Sequence, residues 1–229
     1  MKICGLQKLT LLDYPGHLAC TVFLGGCNFN CPYCYNTSLI KLDKAQEVYS
    51  EEELLSFLDS RKGKLSGVAI TGGEPLINKD IKDLILKIRE KGFKVKLDTN
   101  GSFPDVLENL IDEGLVDYVA MDVKNTYEKY GFTIGANVNT EKIKRSIEIL
   151  LQNKVDYEFR TTIIKEFHEI DDFEEIGKMI CGAKHYFLQS FLDKDNVRGN
   201  FHAMSRDELE ECLKKARIHV PTTEIRGVD

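Results

Sequence analysis

The chain has 229 residues, 42% of them hydrophobic and 30% charged. That balance suits a globular fold with a core large enough to need no disulfide staples. Its 31 Lys and Arg stand against 37 Asp and Glu, a formal net charge of −6, and so small a share of cations argues against a nucleic-acid-coating protein. No apolar run approaches the roughly 18 residues of a membrane span. The opening MKICGLQKLTLLDYPG also lacks an apolar signal core followed by a cleavage site, so a cytoplasmic protein with no membrane partner is expected. Length favours one domain over 1–229.

In chain order, short β-branched runs alternate with amphipathic stretches. The predicted strands are Ala19–Leu24, Gly67–Thr71, Lys94–Thr99, Tyr118–Val123, Tyr157–Ile164 and His185–Ser190. A helical i, i+3, i+4 pattern follows each. It is marked by Leu54, Phe57 and Leu58; by Ile81, Leu84, Ile85 and Ile88; by Val106, Leu107, Leu110 and Ile111; by Ile143, Ile147, Leu150 and Leu151; by Phe173, Ile176 and Ile180; and by Leu209, Cys212 and Leu213. Asp171 and Asp172 suit the positive start of the fifth helix. Ser205 with Glu208 reads as a capping box for the sixth.

Serial βα units imply a mainly parallel sheet with right-handed crossovers. Six are too few for a closed eightfold barrel, so a partial (β/α)6 barrel is expected, with a doubly wound sheet as the alternative. In either architecture chemistry collects at the carboxyl ends of the strands. Unusual residues do stand there: Gly25–Gly26–Cys27, Thr71–Gly72–Gly73–Glu74–Pro75, Asp98–Thr99–Asn100–Gly101, Asp122–Val123–Lys124, Arg160 and Gln189.

Of seven cysteines, Cys27, Cys31 and Cys34 fall within eight residues as C-x3-C-x2-C; the others are Cys4, Cys20, Cys181 and Cys212. An odd number without a signal peptide argues against a disulfide framework. Three close thiolates suit an iron–sulfur cube with one iron left open to a ligand. A zinc knuckle completed by Cys20, Cys4 or His17 is the alternative. The remaining four cysteines read as core or surface thiols.

The loop GGCNFNCPYCYN resembles that of the radical S-adenosylmethionine (radical SAM) enzymes. The resemblance implies a 4Fe–4S cluster on Cys27, Cys31 and Cys34, with SAM chelated at the fourth iron. It places Tyr33 against the adenine, and TGGEP resembles the motif whose backbone and Glu, here Gly72, Gly73 and Glu74, meet the SAM amino group. LDYPG, KLDTNG, VDYVAMDVK and EIRG resemble the activating enzymes of anaerobic ribonucleoside-triphosphate reductase and related glycyl-radical enzymes. In those, aspartates corresponding to Asp98 and Asp122 hold a monovalent cation near the SAM carboxylate, which the carbonyls of Thr99 and Ala120 could complete. A cation or proton between two such carboxylates is also what electrostatics requires. Asn100 of the same motif joins the cofactor-binding set. Lys124 and Arg160 suit the SAM carboxylate or ribose, and Gln189 the ribose or adenine.

The resemblance further implies cleavage of SAM to a 5′-deoxyadenosyl radical, which takes hydrogen from a glycine of a partner enzyme. Two departures stand out. Tyr35 occupies the position after the third cysteine where glycyl-radical activators often carry His. There is also no second cysteine group, so electrons are expected from a separate flavodoxin or ferredoxin. Rival readings are a radical SAM enzyme acting on a small molecule, one modifying a peptide, and a zinc-stabilised binding module.

Overall fold

The computed structural model describes residues 1–41, 46, 48–192 and 197–227. One sheet carries eight strands in strict chain order: β1 (Ile3–Thr10), β2 (Ala19–Leu24), β3 (Gly67–Gly72), β4 (Lys94–Thr99), β5 (Tyr118–Asp122), β6 (Asp156–Ile163), β7 (Tyr186–Ser190) and β8 (Thr223–Arg226). β1 pairs antiparallel with β2, and β2 through β8 run parallel. β1 and β8 form its two edges, so the barrel is partial and open.

The six predicted strands all form. The sheet adds β1 and β8, which the sequence reading left out. β1, ICGLQKLT, carries a Gly and three polar residues and shows only the two ends buried, so it lacks the apolar signature of a strand covered on both faces. β8 is four residues long, at the lower limit of what periodicity can register.

Seven helices alternate with the strands among the described residues: α1 (Glu51–Arg61), α2 (Ile81–Glu90), α3 (Pro104–Asp112), α4 (Tyr130–Ile134), α5 (Thr140–Leu151), α6 (Asp172–Met179) and α7 (Arg206–Arg217). All but the short α4 were predicted. The Ser205–Glu208 capping box is present, and a second one, Ser50 with Glu53, starts α1. Cys212 is buried, its Sγ 3.6 Å from the Met204 sulfur, the small hydrophobe that its place on the α7 stripe predicts.

The two faces of the sheet divide the work. Val95, Leu97, Val119, Met121, Phe159 and Leu188 point into the apolar core shared with the helices. The alternate residues, Lys96, Asp98, Asp122, Glu158, Arg160 and Gln189, therefore share the opposite, concave face. Tyr14 of the LDYPG segment is buried, with its ring centroid 6.1 Å from that of Tyr118. A side chain at Gly67 would collide with the Tyr14 ring at 2.8 Å. That motif is thus packed under the amino ends of β3 and β5, at the end of the sheet away from the strand-end loops.

Candidate active site

A cavity of about 420 Å³ lies at the carboxyl ends of the strands. Its wall includes Cys27, Cys31, Tyr33, Cys34, Gly72, Gly73, Asp98, Asn100, Asp122, Lys124, Arg160 and Gln189. Twelve of the thirteen residues singled out from the sequence therefore converge on one place. Glu74 is the exception.

The cysteine loop is held on several sides. Gly26 and Cys27 donate backbone hydrogen bonds to Leu39 and Ile40, and Asn30 to Ile134 of α4. The Phe29 amide donates to Cys27 Sγ at 3.4 Å and the Asn36 amide to Cys34 Sγ at 3.3 Å. Amides aimed at sulfur are the contacts that tune a thiolate cluster. Burial pushes the Cys27 thiol up to about 12 and raises Cys31 as well. Such thiols become thiolates when a metal supplies the charge. Among the described residues no three His, Cys, Asp or Glu side chains form a group that could hold a single metal ion.

Tyr33 is buried against Phe167, ring centroids 5.5 Å apart, and its hydroxyl is a buried polar atom without a hydrogen-bond partner. An orphaned hydroxyl in the wall of a cavity fits a polar ligand there. Tyr35, the departure noted above, stacks on Phe191, accepts from the Leu192 amide at 2.8 Å and donates to the Leu192 carbonyl at 3.0 Å. It pins that segment beside the cavity.

The Gly72–Gly73 pair serves close approach between two loops. Gly72 has φ +122°, and a Cβ on Gly73 would sit 2.1 Å from the Gly26 carbonyl oxygen. Only glycine permits that contact. Glu74, expected to meet the SAM amino group, is not among the residues that line the cavity. It is fully buried, its Oε1 accepts from the Leu76 amide at 3.1 Å and the Thr99 hydroxyl at 2.9 Å, and its Oε2 accepts from the Asn100 amide at 2.6 Å. It caps its own turn and locks the β3 loop to the β4 loop. Burial raises its pKa to about 7. Asn100 continues the lock through Nδ2, which donates to Asn28 Oδ1 of the cysteine loop at 3.0 Å.

Asp98 and Asp122 do stand together, and Arg160 lies between them. Its Nε is 3.0 Å from Asp122 Oδ1 and its Nη1 3.5 Å from Asp98 Oδ2. Lys124 Nζ reaches Asp122 Oδ2 at 2.9 Å, and Lys96 Nζ reaches Asp98 Oδ1 at 2.5 Å. Burial works against both carboxylates, but Arg160 with Lys96 outweighs it at Asp98, and Lys124 with Arg160 holds Asp122 at about 2. Thr162 Oγ1 lies 3.5 Å from Gln189 Oε1.

Four participants escaped the sequence reading. Lys96 sits two residues before Asp98 in a strand, a spacing that puts both on one face. Glu158 precedes Arg160 in the same way. Arg226, inside the quoted EIRG motif, pairs with Glu158 through Nη1 at 3.1 Å and Nη2 at 3.2 Å. Buried His168 has its Nε2 2.9 Å from the Lys124 carbonyl and fixes the loop that carries Lys124. No local pattern marks His168.

The comparisons agree with this geometry. The profile of the Radical SAM superfamily matches residues 21–180. A Methanocaldococcus jannaschii protein provisionally named a glycyl-radical enzyme activating enzyme is 33% identical over 99% of this chain and 96% of its own length. A 7-carboxy-7-deazaguanine synthase from the same organism is 30% identical over 88% of this chain and 85% of its own. The solved structure of a domain of pyruvate-formate lyase-activating enzyme from Bacteroides vulgatus superposes with a TM-score of 0.59, at 16% identity, over 71% of this chain and 99% of that domain. A profile spanning most of the chain, on an open parallel sheet with three cysteines in one cavity, shows that this chain belongs to the radical SAM superfamily, as an enzyme whose cofactors are a 4Fe–4S cluster and S-adenosylmethionine.

Proposed function

We propose that the chain activates a glycyl-radical enzyme by taking a hydrogen atom from a glycine of that partner. The observation that carries this reading is the end-to-end similarity to the M. jannaschii protein of that provisional name. When bound, the cluster and SAM together supply one-electron cleavage of the sulfonium and hydrogen-atom abstraction. The chain's own residues hold, orient and exclude water. In this reading Cys27, Cys31 and Cys34 hold three irons. Lys124 and Arg160, fixed by Asp122 and Asp98, face the SAM carboxylate. Tyr33, Gly72, Gly73, Asn100 and Gln189 line the remaining contact surface. Cys4, Cys20, Cys181 and Cys212 form no disulfide and are scattered, two of them buried; they offer no second cluster, so a flavodoxin or ferredoxin supplies the electron.

The 7-carboxy-7-deazaguanine synthase similarity favours a second reading, in which the cavity takes a small molecule. The anaerobic ribonucleoside-triphosphate reductase remains our proposed partner on the LDYPG, DTNG and EIRG motifs. The test is anaerobic reconstitution with iron and sulfide, reduction, and assay of 5′-deoxyadenosine from SAM, wild type against Cys31→Ala. A Cys31-dependent glycyl-radical doublet on added reductase supports the first reading. A deazapurine product formed without any partner protein replaces it with the second.

A further inference from the structure

The resemblance to glycyl-radical activators implies a monovalent cation between Asp98 and Asp122, and the donor set here does not fit one. A carboxylate pair binds a metal ion through oxygens left free of other cations. Here each of the four carboxylate oxygens already faces a cationic nitrogen: Asp98 Oδ1 faces Lys96, Asp98 Oδ2 and Asp122 Oδ1 face Arg160, and Asp122 Oδ2 faces Lys124. Three side-chain cations against two carboxylates leave the group one charge positive without any metal.

Lys96 is the unusual member. Its side chain is 2% exposed, although lysine is almost never fully buried unless paired. Its pairing with Asp98 meets that condition. It lies inside the sheet, with its Nζ 6.0 Å from the Tyr118 ring centroid. From Asp98 it occupies the side that Arg160 does not reach.

We propose that Lys96 is a built-in replacement for the monovalent cation: with Arg160 it holds Asp98 and Asp122, and hence the cationic wall facing the SAM carboxylate, without bound potassium or sodium. Lys96 is a positioning residue, acting through Asp98. The inference rests on the cavity being the SAM site.

The test measures SAM affinity of the cluster-loaded protein by calorimetry at constant ionic strength. One arm supplies potassium or sodium; the other supplies only tetramethylammonium, too large for a carboxylate site. Wild-type affinity is expected to agree within twofold between the arms. Lys96→Met leaves Asp98 Oδ1 without its cation. In tetramethylammonium it is expected to lose SAM affinity at least tenfold, with recovery on adding potassium or sodium as the small ion takes the ammonium's place. Lys96→Arg, which keeps the charge, retains most of the affinity. Two results overturn the inference: a tenfold fall in wild-type affinity without a small monovalent cation, or full affinity of Lys96→Met in tetramethylammonium. If Lys96→Met fails to fold, as circular dichroism would show, the wild-type arms decide alone. Absence of SAM binding by the wild type in every salt would instead overturn the reading of the cavity, and this inference with it.

Discussion

Two ion groups share the concave face, one around Asp98 and Asp122 and one around Glu158. They use the same chemistry for different ends. The first borders the cavity on its carboxylate and its Lys124 and Arg160 sides. The second centres on a carboxylate 2% exposed that takes both guanidinium nitrogens of Arg226 and the Tyr118 hydroxyl at 3.0 Å. Arg226 lies on the edge strand β8 and Glu158 on β6, so the pair reaches across β7. On the way the guanidinium carbon passes 3.1 Å from the centroid of the Phe187 ring. The Glu158 group braces the open edge of the sheet and reaches the cavity only through Arg226, whereas the other group lines it with Asp98, Asp122, Lys124 and Arg160. A buried ion pair therefore does not by itself mark a site; the difference lies in whether its carboxylates face the cavity, as Asp98 and Asp122 do and Glu158 does not.

That comparison can be broken by mutation. The largest effect is expected at neither group but at the shared ligand loop: Cys31→Ala should reduce 5′-deoxyadenosine release at least 100-fold while leaving the helical circular dichroism signal unchanged. Retained release would sink the assignment of the cluster. Next, Arg226→Ala leaves the Glu158 carboxylate with only the Tyr118 hydroxyl, and should cost about 2–3 kcal/mol, below the range for a fully buried pair. Glu158→Gln should cost less, because Arg226 is 39% exposed and can turn to water. Urea unfolding of the two variants measures the asymmetry; equal losses would mean that Arg226 does not act as a brace.

The same comparison explains what was legible in the sequence. Asp98, Asp122 and Lys124 stand at strand ends, where a parallel sheet collects its chemistry, so position selected them. Lys96 and Glu158 lie one period-two step earlier, inside strands whose apolar neighbours mark them as buried. Nothing local tells such a lysine from one on a solvated face, even with its partner Asp98 two residues on; the partners of Glu158, Arg226 and Tyr118, come from other strands. That Glu74 lies behind the cavity wall was not legible for the related reason that GGE fixes a turn without fixing a rotamer. The Thr99 hydroxyl and the Asn100 amide, 25 and 26 residues downstream, draw its carboxylate into the loop junction. β1 and β8 were missed because an edge strand need not be apolar on both faces.

Acid titration separates the groups further. Asp122 is held at about 2, against an ordinary 3.8. A carboxylate depressed on folding contributes stability that is fully present above the unfolded value and is lost as pH falls through the folded one. Over the window from about pH 4 to 2 the wild type should lose about 2 kcal/mol at this residue alone, and Asp98, depressed as well, adds to the slope in the same direction. Urea midpoints between pH 5 and pH 2 should fall more steeply for the wild type than for Asp122→Asn. Parallel slopes would show that the Lys124 and Arg160 contacts are not maintained in solution.

The smallest effect is expected at Tyr118, and it asks whether the two groups are coupled. Its hydroxyl donates to Glu158 Oε2, and its ring lies below the Lys96 ammonium. Tyr118→Phe removes one hydrogen bond to a charged acceptor, about 1.5 kcal/mol or somewhat more, and keeps the ring. Glu158 still has Arg226, so the brace should hold and only the unfolding midpoint should shift. Lys96 still has both the ring and Asp98, so SAM affinity should stay within twofold of the wild type. A larger drop in affinity would mean that displacing Glu158 also displaces Lys96, and through it Asp98. The brace and the cationic wall would then form one network running from the edge strand to the cofactor, with Tyr118 as the joint between them.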